Sequence, residues 1–402
     1  MHNSLTCTTK IRGGTQLDSF ISEYYDRPVI LSPQDGAHYF FGYYDLPASQ
    51  GRKHLCHRVS FMDRLPTAKD IAQLGYLENG EFVPFAETTA WNFQQGALLQ
   101  YHRFKADTVF YNTFHNNRVC TAQHNYATGS ISYTDRAAAT ISPDGNRGLA
   151  VNFGRIFAFR PGYGYAGCTD PWESCNAPAE DGVFLIDMNK GTSQLIVNYQ
   201  TLAEASGFTP DQKVLVNHIN FGPDSDHYVA LVRNFPAPGQ PLSWSTTLIL
   251  GDCQGNVTPV LRNTYVSHYC WAGPDSLIAH CTVEGEKKSL YRLELSLKEW
   301  VEYDMPYFHE PGLTDIHCNL YPDGTFLIGD GYPKDGYRPI QYYHIPTGTA
   351  KTLLYVRTDE PDSWDIRCDL HNRYVFDGAA ISFDTTHNDC RQIALIPLPP
   401  LP

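Results

Sequence analysis

The chain has 402 residues, with 43 acidic against 30 basic side chains and a net charge of −13 at pH 7. That balance excludes a non-specific nucleic-acid binder, which needs a basic face, while still allowing a local cluster of Arg and His to reverse the field inside one cleft. Aromatics make up 13% of the sequence alongside 31 Gly and 27 Pro, and no long stretch keeps the apolar spacing of a helix, so an all-β chain is expected.

The amino-terminal MHNSLTCTTK has no apolar core and does not read as a secretion signal. No apolar run reaches bilayer length, so a cytoplasmic protein without a membrane partner is expected. The first strand-turn-strand unit is AHYFFGYYDLPASQGRKHLCHRVSF from Ala37, turning between Pro47 and Gly51. Asp63 to Leu74 reads as a short helix. The next unit runs from Gln94 through QQGALLQYHRFKADTVFYN and turns at Lys105 to Asp107. A third turn, ISPDG from Ile141, leads into a strand from Arg147 to Phe153. The Gly-, Pro- and aromatic-rich stretch from Arg155 to Gly182 is expected to be an ordered loop inserted into the third unit. A second short helix is expected at Tyr199 to Ala205.

From there one phrase returns four times, as VNHINFGPDS from Val216, SHYCWAGPDS from Ser267, DIHCNLYPDG from Asp315 and CDLHNRYVFDG from Cys368. Each copy is a short apolar strand running into a Pro-Asp-Gly-like turn. With the earlier units this gives seven turns, near residues 47, 106, 144, 224, 275, 323 and 377. A strand-built repeat of about fifty residues is the signature of a β-propeller, so the reading is a single seven-bladed propeller over residues 1–402. The ring is expected to close by pairing Arg391 to Leu398 with a strand near Pro28 to Leu31. A β-sandwich is the competing architecture.

The eleven cysteines are scattered, with no CxxC pair. Cys270, Cys318, Cys368 and Cys390 fall in predicted strands, where thiols act as small apolar groups. Cys168 and Cys175 flank the long loop and are the one candidate disulfide.

Each repeat phrase carries a histidine near the start of an inner strand: His218, His268, His317 and His371. Inner strands line a propeller's channel, so four imidazoles would converge there and could hold a divalent metal such as manganese, zinc or calcium. Asp315 and Asp369, each two residues ahead of a repeat histidine, are candidate partners behind the ligands. A second cluster lies in the first two units, where His38, His57 and Arg118 are expected to meet at one end of the channel. Tyr101, His102, His115 and Asn117 lie close by in sequence. A third comprises Arg160, Tyr163 and Tyr165 in the long loop, residue types suited to sugar rings and carboxylates. No Gly-x-Ser-x-Gly elbow, HExxH helix or phosphate-cradling loop occurs.

YFFGYYD, WNFQQGALLQ, FRPGYGYAG and the RCDLH…FDG…ISFDTTHNDCRQI ending resemble seven-bladed propeller polysaccharide lyases, a group that includes oligogalacturonate, ulvan and rhamnose–glucuronate lyases. The similarity runs from Ala37 to Leu398. The ulvan and rhamnose–glucuronate branches use two histidines about twenty residues apart, then a tyrosine, then an arginine. Here His38 and His57 are 19 apart and Tyr101 and Arg118 follow in order, although His102 fits the tyrosine spacing equally well. The oligogalacturonate branch adds a channel metal held by histidines. The resemblance therefore implies a lyase that breaks a glycosidic bond at a uronic acid by β-elimination, leaving a 4,5-unsaturated uronate, with an anionic glycan as partner. In that scheme His57 is the base or shared acid/base, Tyr101 or His38 delivers the proton, and Arg118 clamps the carboxylate, with His102, His115, Asn117, Arg160, Tyr163 and Tyr165 contacting sugar. A non-catalytic TolB-like binding propeller and a propeller glycoside hydrolase are the alternatives; the hydrolase needs two paired carboxylates.

Overall fold

The computed structural model describes residues 18–236, 244–283, 285–296, 298–303, 305, 315–358 and 363–398; the segment MHNSLTCTTK lies outside them. Seven antiparallel sheets of four or five strands follow one another along the chain and form a seven-bladed β-propeller. The innermost strands are His38–Phe40, Gln100–Tyr101, Ala138–Ile141, Val214–Phe221, Val266–Gly273, Cys318–Leu320 and Arg373–Val375. In every blade the expected turn falls between this strand and the next. Middle strands such as His227–Asn234 and Phe326–Asp330 are buried almost throughout, because each blade is covered on both faces by its neighbours. Outer strands such as Ser130–Tyr133 face solvent. The core is accordingly a set of apolar seams between blades, such as that of Leu231, Leu248, Leu277 and Tyr291.

Ring closure is as the sequence implied. Val29–Ile30 pairs with Gln392–Pro397 and becomes the outermost strand of the last blade, with Val29 opposite Leu395 and Ile30 opposite Ala394. Unforeseen was Phe20–Ile21, which adds a fifth strand to the sixth blade opposite Val356 and Tyr355.

Four local expectations fail. Asp63 to Leu74 is not a helix: Pro66 disfavours helical geometry at Leu65 and offers no N–H, Asp70 caps a turn by accepting from the Thr67 backbone, and Ala72–Glu78 is a blade strand. The strand expected to reach Phe153 stops at Ala150, and Phe153–Phe159 is an α-helix whose first turn is capped by the Asn152 side chain accepting from Arg155 N–H. That helix opens the 151–181 segment between the second and third strands of the third blade. Cys168 and Cys175 are free thiols, and Cys368 and Cys390 lie outside strands. The helix at Tyr199–Ser206 forms as expected, closed by Gly207 in the left-handed region at φ 72°. Among the described residues no helix is long and apolar enough to cross a membrane.

Candidate functional site

The four repeat histidines meet in the channel. Ring centroids are 5.5 Å apart between His218 and His268, 4.0 Å between His268 and His317, and 4.3 Å between His317 and His371. Irregular backbone helps aim them. The fourth blade's inner strand shifts register between Asn217 and Ile219, and the fifth's between Val266 and Tyr269, so His218 and His268 each sit at a β-bulge. Bulges re-aim side chains beside functional sites. His218 and His371 also adopt φ of 58° and 44°, conformations that cost a residue with a Cβ and persist only where the surroundings enforce them. Tyr43 and Tyr44 from FGYYD fill the channel against these rings: Tyr43 Oη lies 2.8 Å from His218 Nδ1, and Tyr44 donates to the Tyr269 carbonyl.

One mouth of the channel opens into a cleft of about 510 Å³, lined by His218, His268, Asp315, Arg160, Arg233, Lys288, Tyr163, Tyr265, Tyr332, Trp244 and Trp364, among others. Its charge is the reverse of the chain's. Arg233 is 4% exposed and donates to Asn217 Oδ1 and the Val266 carbonyl. The guanidinium of Arg160 lies over Tyr163, and Lys288 Nζ lies 4.4 Å from the Tyr265 ring centroid. None of the three cations has a carboxylate partner among the described residues. The lining acid, Asp315, is already engaged by His268 Nε2 at 3.4 Å and His280 Nδ1 at 3.1 Å, and accepts from Ser267 Oγ. A buried guanidinium without an acid is costly; an anionic ligand would relieve that cost. Burial, reinforced by His268 and Arg233, holds His218 neutral well below the ordinary imidazole range, and burial takes His268 down to about 4 despite Asp315.

Deeper in the ladder, ligand atoms of His317, Asp369 and His371 lie within 4.8 Å of one another. Asp330 accepts from His317 Nδ1 at 2.7 Å, leaving His317 Nε2 buried without a hydrogen-bond partner. This carboxylate-imidazole arrangement presents the second nitrogen of a histidine to a metal ion. Burial opposes protonation of His317, but Asp330 and Asp369 outweigh it and hold its pKa above the ordinary value, so a cation entering here displaces a proton. Asp369 is held from behind by Arg367 at 2.7 Å and Arg338 at 2.9 Å. Two imidazole nitrogens and an oxygen suit manganese or zinc better than calcium, which takes oxygen ligands.

The first-unit cluster is not brought together. His57 is fully buried and stacked on Phe40; its Nδ1 lies 3.3 Å from the Phe40 carbonyl and its Nε2 accepts from Ala97 N–H. His38 contacts Cys390 Sγ at 3.3 Å, away from the channel mouths. Tyr101 lines the opposite mouth and meets Tyr126 Oη at 3.4 Å. Arg118 and Asn117 line a separate cleft shared with the 151–181 segment. His102 is buried, accepting from Phe104 N–H, and His115 is exposed and stacked on Tyr133. Of the long-loop residues, Arg160 and Tyr163 reach the main cleft, whereas Tyr165 is buried with its hydroxyl accepting from Asn112.

No protein-family model matches the sequence, and no curated protein matches it. Solved structures do. An oligogalacturonate lyase in complex with manganese superposes with a TM-score of 0.64 over 94% of this chain and 96% of that one, at 14% identity. The chain shares its fold with oligogalacturonate lyases. A second, from Vibrio parahaemolyticus, gives a TM-score of 0.62 with the same coverage and identity. The tricorn protease gives 0.50 at 10% identity, covering 97% of this chain but 35% of that one. Full-length coverage in both directions sets the oligogalacturonate lyase propellers apart from that partial match. Parts of the motifs quoted from the sequence are packing elements: Asp384 of ISFDTT accepts from Phe41 and Gly42 N–H of YFFGYYD, and Gly96 of WNFQQG seats the His57 ring, which a Cβ there would meet at 2.2 Å. Arg233, Lys288, Trp244 and Trp364 escaped the sequence reading because they lie outside the repeated phrase.

Proposed function

We propose that the protein is a lyase that cleaves oligosaccharides at a uronic acid by β-elimination, acting in the cationic cleft above the histidine ladder. The observation that carries this reading is the set of three cations without acid partners among the described residues, around a neutral, half-buried histidine. Arg233, Arg160 and Lys288 would receive the substrate carboxylate, and Trp244 and Trp364 would stack on sugar rings. Fixing the carboxylate among cations stabilises the charge that develops when the C5 proton leaves. His218, oriented through Nδ1 by Tyr43, would take that proton on Nε2. Tyr163, whose oxygen accepts from Arg367 and whose own O–H is available, would protonate the O4 leaving group. His317, Asp369 and His371 would hold a divalent metal ion, manganese or zinc, which when bound adds Lewis-acid stabilisation of the enolate-like charge. His57, Tyr101 and Arg118 then act through the fold rather than on substrate.

Incubation with galacturonate- and glucuronate-containing oligosaccharides should raise the ultraviolet band of a 4,5-unsaturated uronate, and His218→Gln should remove it while leaving the circular dichroism spectrum unchanged. Released reducing ends without that band would support a hydrolase. Binding without either would support a non-catalytic propeller.

A further inference from the structure

The inner strands of the fifth and sixth blades carry a pair of thiols that the proposed chemistry does not use. Cys318 donates to Cys270 across the blade boundary, with 3.7 Å between the two Sγ atoms. Among the described residues the other eight cysteines show no such sulfur–sulfur contact, and all ten are free. Cys318 is fully buried, whereas Cys270 is 9% exposed and lines the opposite mouth of the channel, a cavity of about 550 Å³ that gives a small oxidant a route to its sulfur. Cys270 lies two residues after His268 on the same strand, and Cys318 directly follows His317.

We propose that Cys270 and Cys318 are a peroxide-sensitive modification site that closes to an inter-blade disulfide. The Cys270 sulfur attacks hydrogen peroxide, the O–O bond breaks, and sulfenic acid and one water result. Cys318 then attacks that sulfur, the S–O bond breaks, and a second water leaves; two thiols are oxidised and one peroxide is reduced. Closing the bridge requires the sulfurs to approach from 3.7 Å to about 2.05 Å. That movement draws the strand of His268 towards Cys318, the residue that follows His317, and the two rings are 4.0 Å apart, so oxidation alters the ladder beneath the cleft.

The test treats the full chain with hydrogen peroxide, alkylates the remaining thiols after unfolding, and maps the peptides by mass. A Cys270–Cys318 crosslinked peptide, absent from Cys318→Ser and reversed by dithiothreitol, is expected. Both cysteines recovered fully alkylated while other cysteines are oxidised would overturn the proposal. This readout does not depend on the lyase reading. Where turnover is measurable, it should fall about tenfold or more on oxidation, as a displacement of about 1 Å near reacting groups does, and recover on reduction in the wild type, with Cys318→Ser resistant. Crosslinking without any change in turnover or glycan binding would overturn the coupling to the ladder.

Discussion

Replacing Asp330 by Asn tests whether one buried carboxylate organises the deep end of the histidine ladder. Asp330 is 0% exposed. It accepts from His317 Nδ1 at 2.7 Å and from His317 backbone N–H at 3.0 Å through one oxygen, and from His371 backbone N–H at 2.9 Å through the other. An amide of the same shape has one acceptor oxygen. Whichever way it turns, its NH₂ faces an N–H donor, so at least one buried donor loses its acceptor, at about 1–3 kcal/mol, and the charge-assisted bond to the imidazole weakens by a similar amount. A loss of about 3–5 kcal/mol is expected, a large part of the usual stability of a domain. The substitution also frees His317 to place its proton on Nε2, the atom that would face a metal, so manganese affinity should drop by about 10- to 100-fold. Urea unfolding followed by tryptophan fluorescence reads the first effect and calorimetric titration with manganese the second. A stability loss under about 1 kcal/mol with unchanged metal affinity would refute the reasoning.

Gly96→Ala should destabilise the protein by about 2–4 kcal/mol, because Gly96 has φ 59° and an added Cβ would lie 2.2 Å from the His57 ring; an unchanged thermal midpoint would show that the ring can move aside. Stability should fall as pH drops below about 6.5 towards about 4. Burial and Arg373 push His54 down to about 3, and burial pushes His57 to about 4, so the unfolded chain takes up protons that the folded one refuses. Each group adds up to about 1.4 kcal/mol per pH unit in that window, and His54→Gln should flatten the profile of urea midpoints. Arg233→Met should raise KM for a uronate substrate by about tenfold or more, with the remaining binding less sensitive to salt; unchanged KM would remove Arg233 from the carboxylate site.

The last four blades were legible in the sequence because each begins with the same strand-to-turn phrase, the first three through their strand-turn-strand shape, and the ladder because its histidines recur in that phrase. The cleft was not. Arg233 lies on the second strand of its blade and Lys288 on the third, positions that the phrase does not reach, and only the ring brings them over one mouth. His57 and His102 misled for a physical reason. Each fills space against a glycine turn, Gly96 and Gly145 respectively, and a histidine used as packing reads in one dimension like a histidine used for chemistry. The Phe153–Phe159 helix was hidden because FGRIFAF is buried on most sides and shows no polar face; the clue was Asn152 three residues ahead of Arg155, a capping signal.

The seam between Val29–Ile30 and Gln392–Pro397 makes the ring a clasp rather than a continuous hoop. During synthesis Val29–Ile30 must wait for Gln392–Pro397, so six blades can assemble before the seventh has its outer edge. Until the clasp shuts, Gln392–Pro397 presents a row of unpaired amides, a template for another chain's strand. Shortening the chain past Ile30 would leave that edge permanently open, trading a closed ring for one prone to edge-to-edge association.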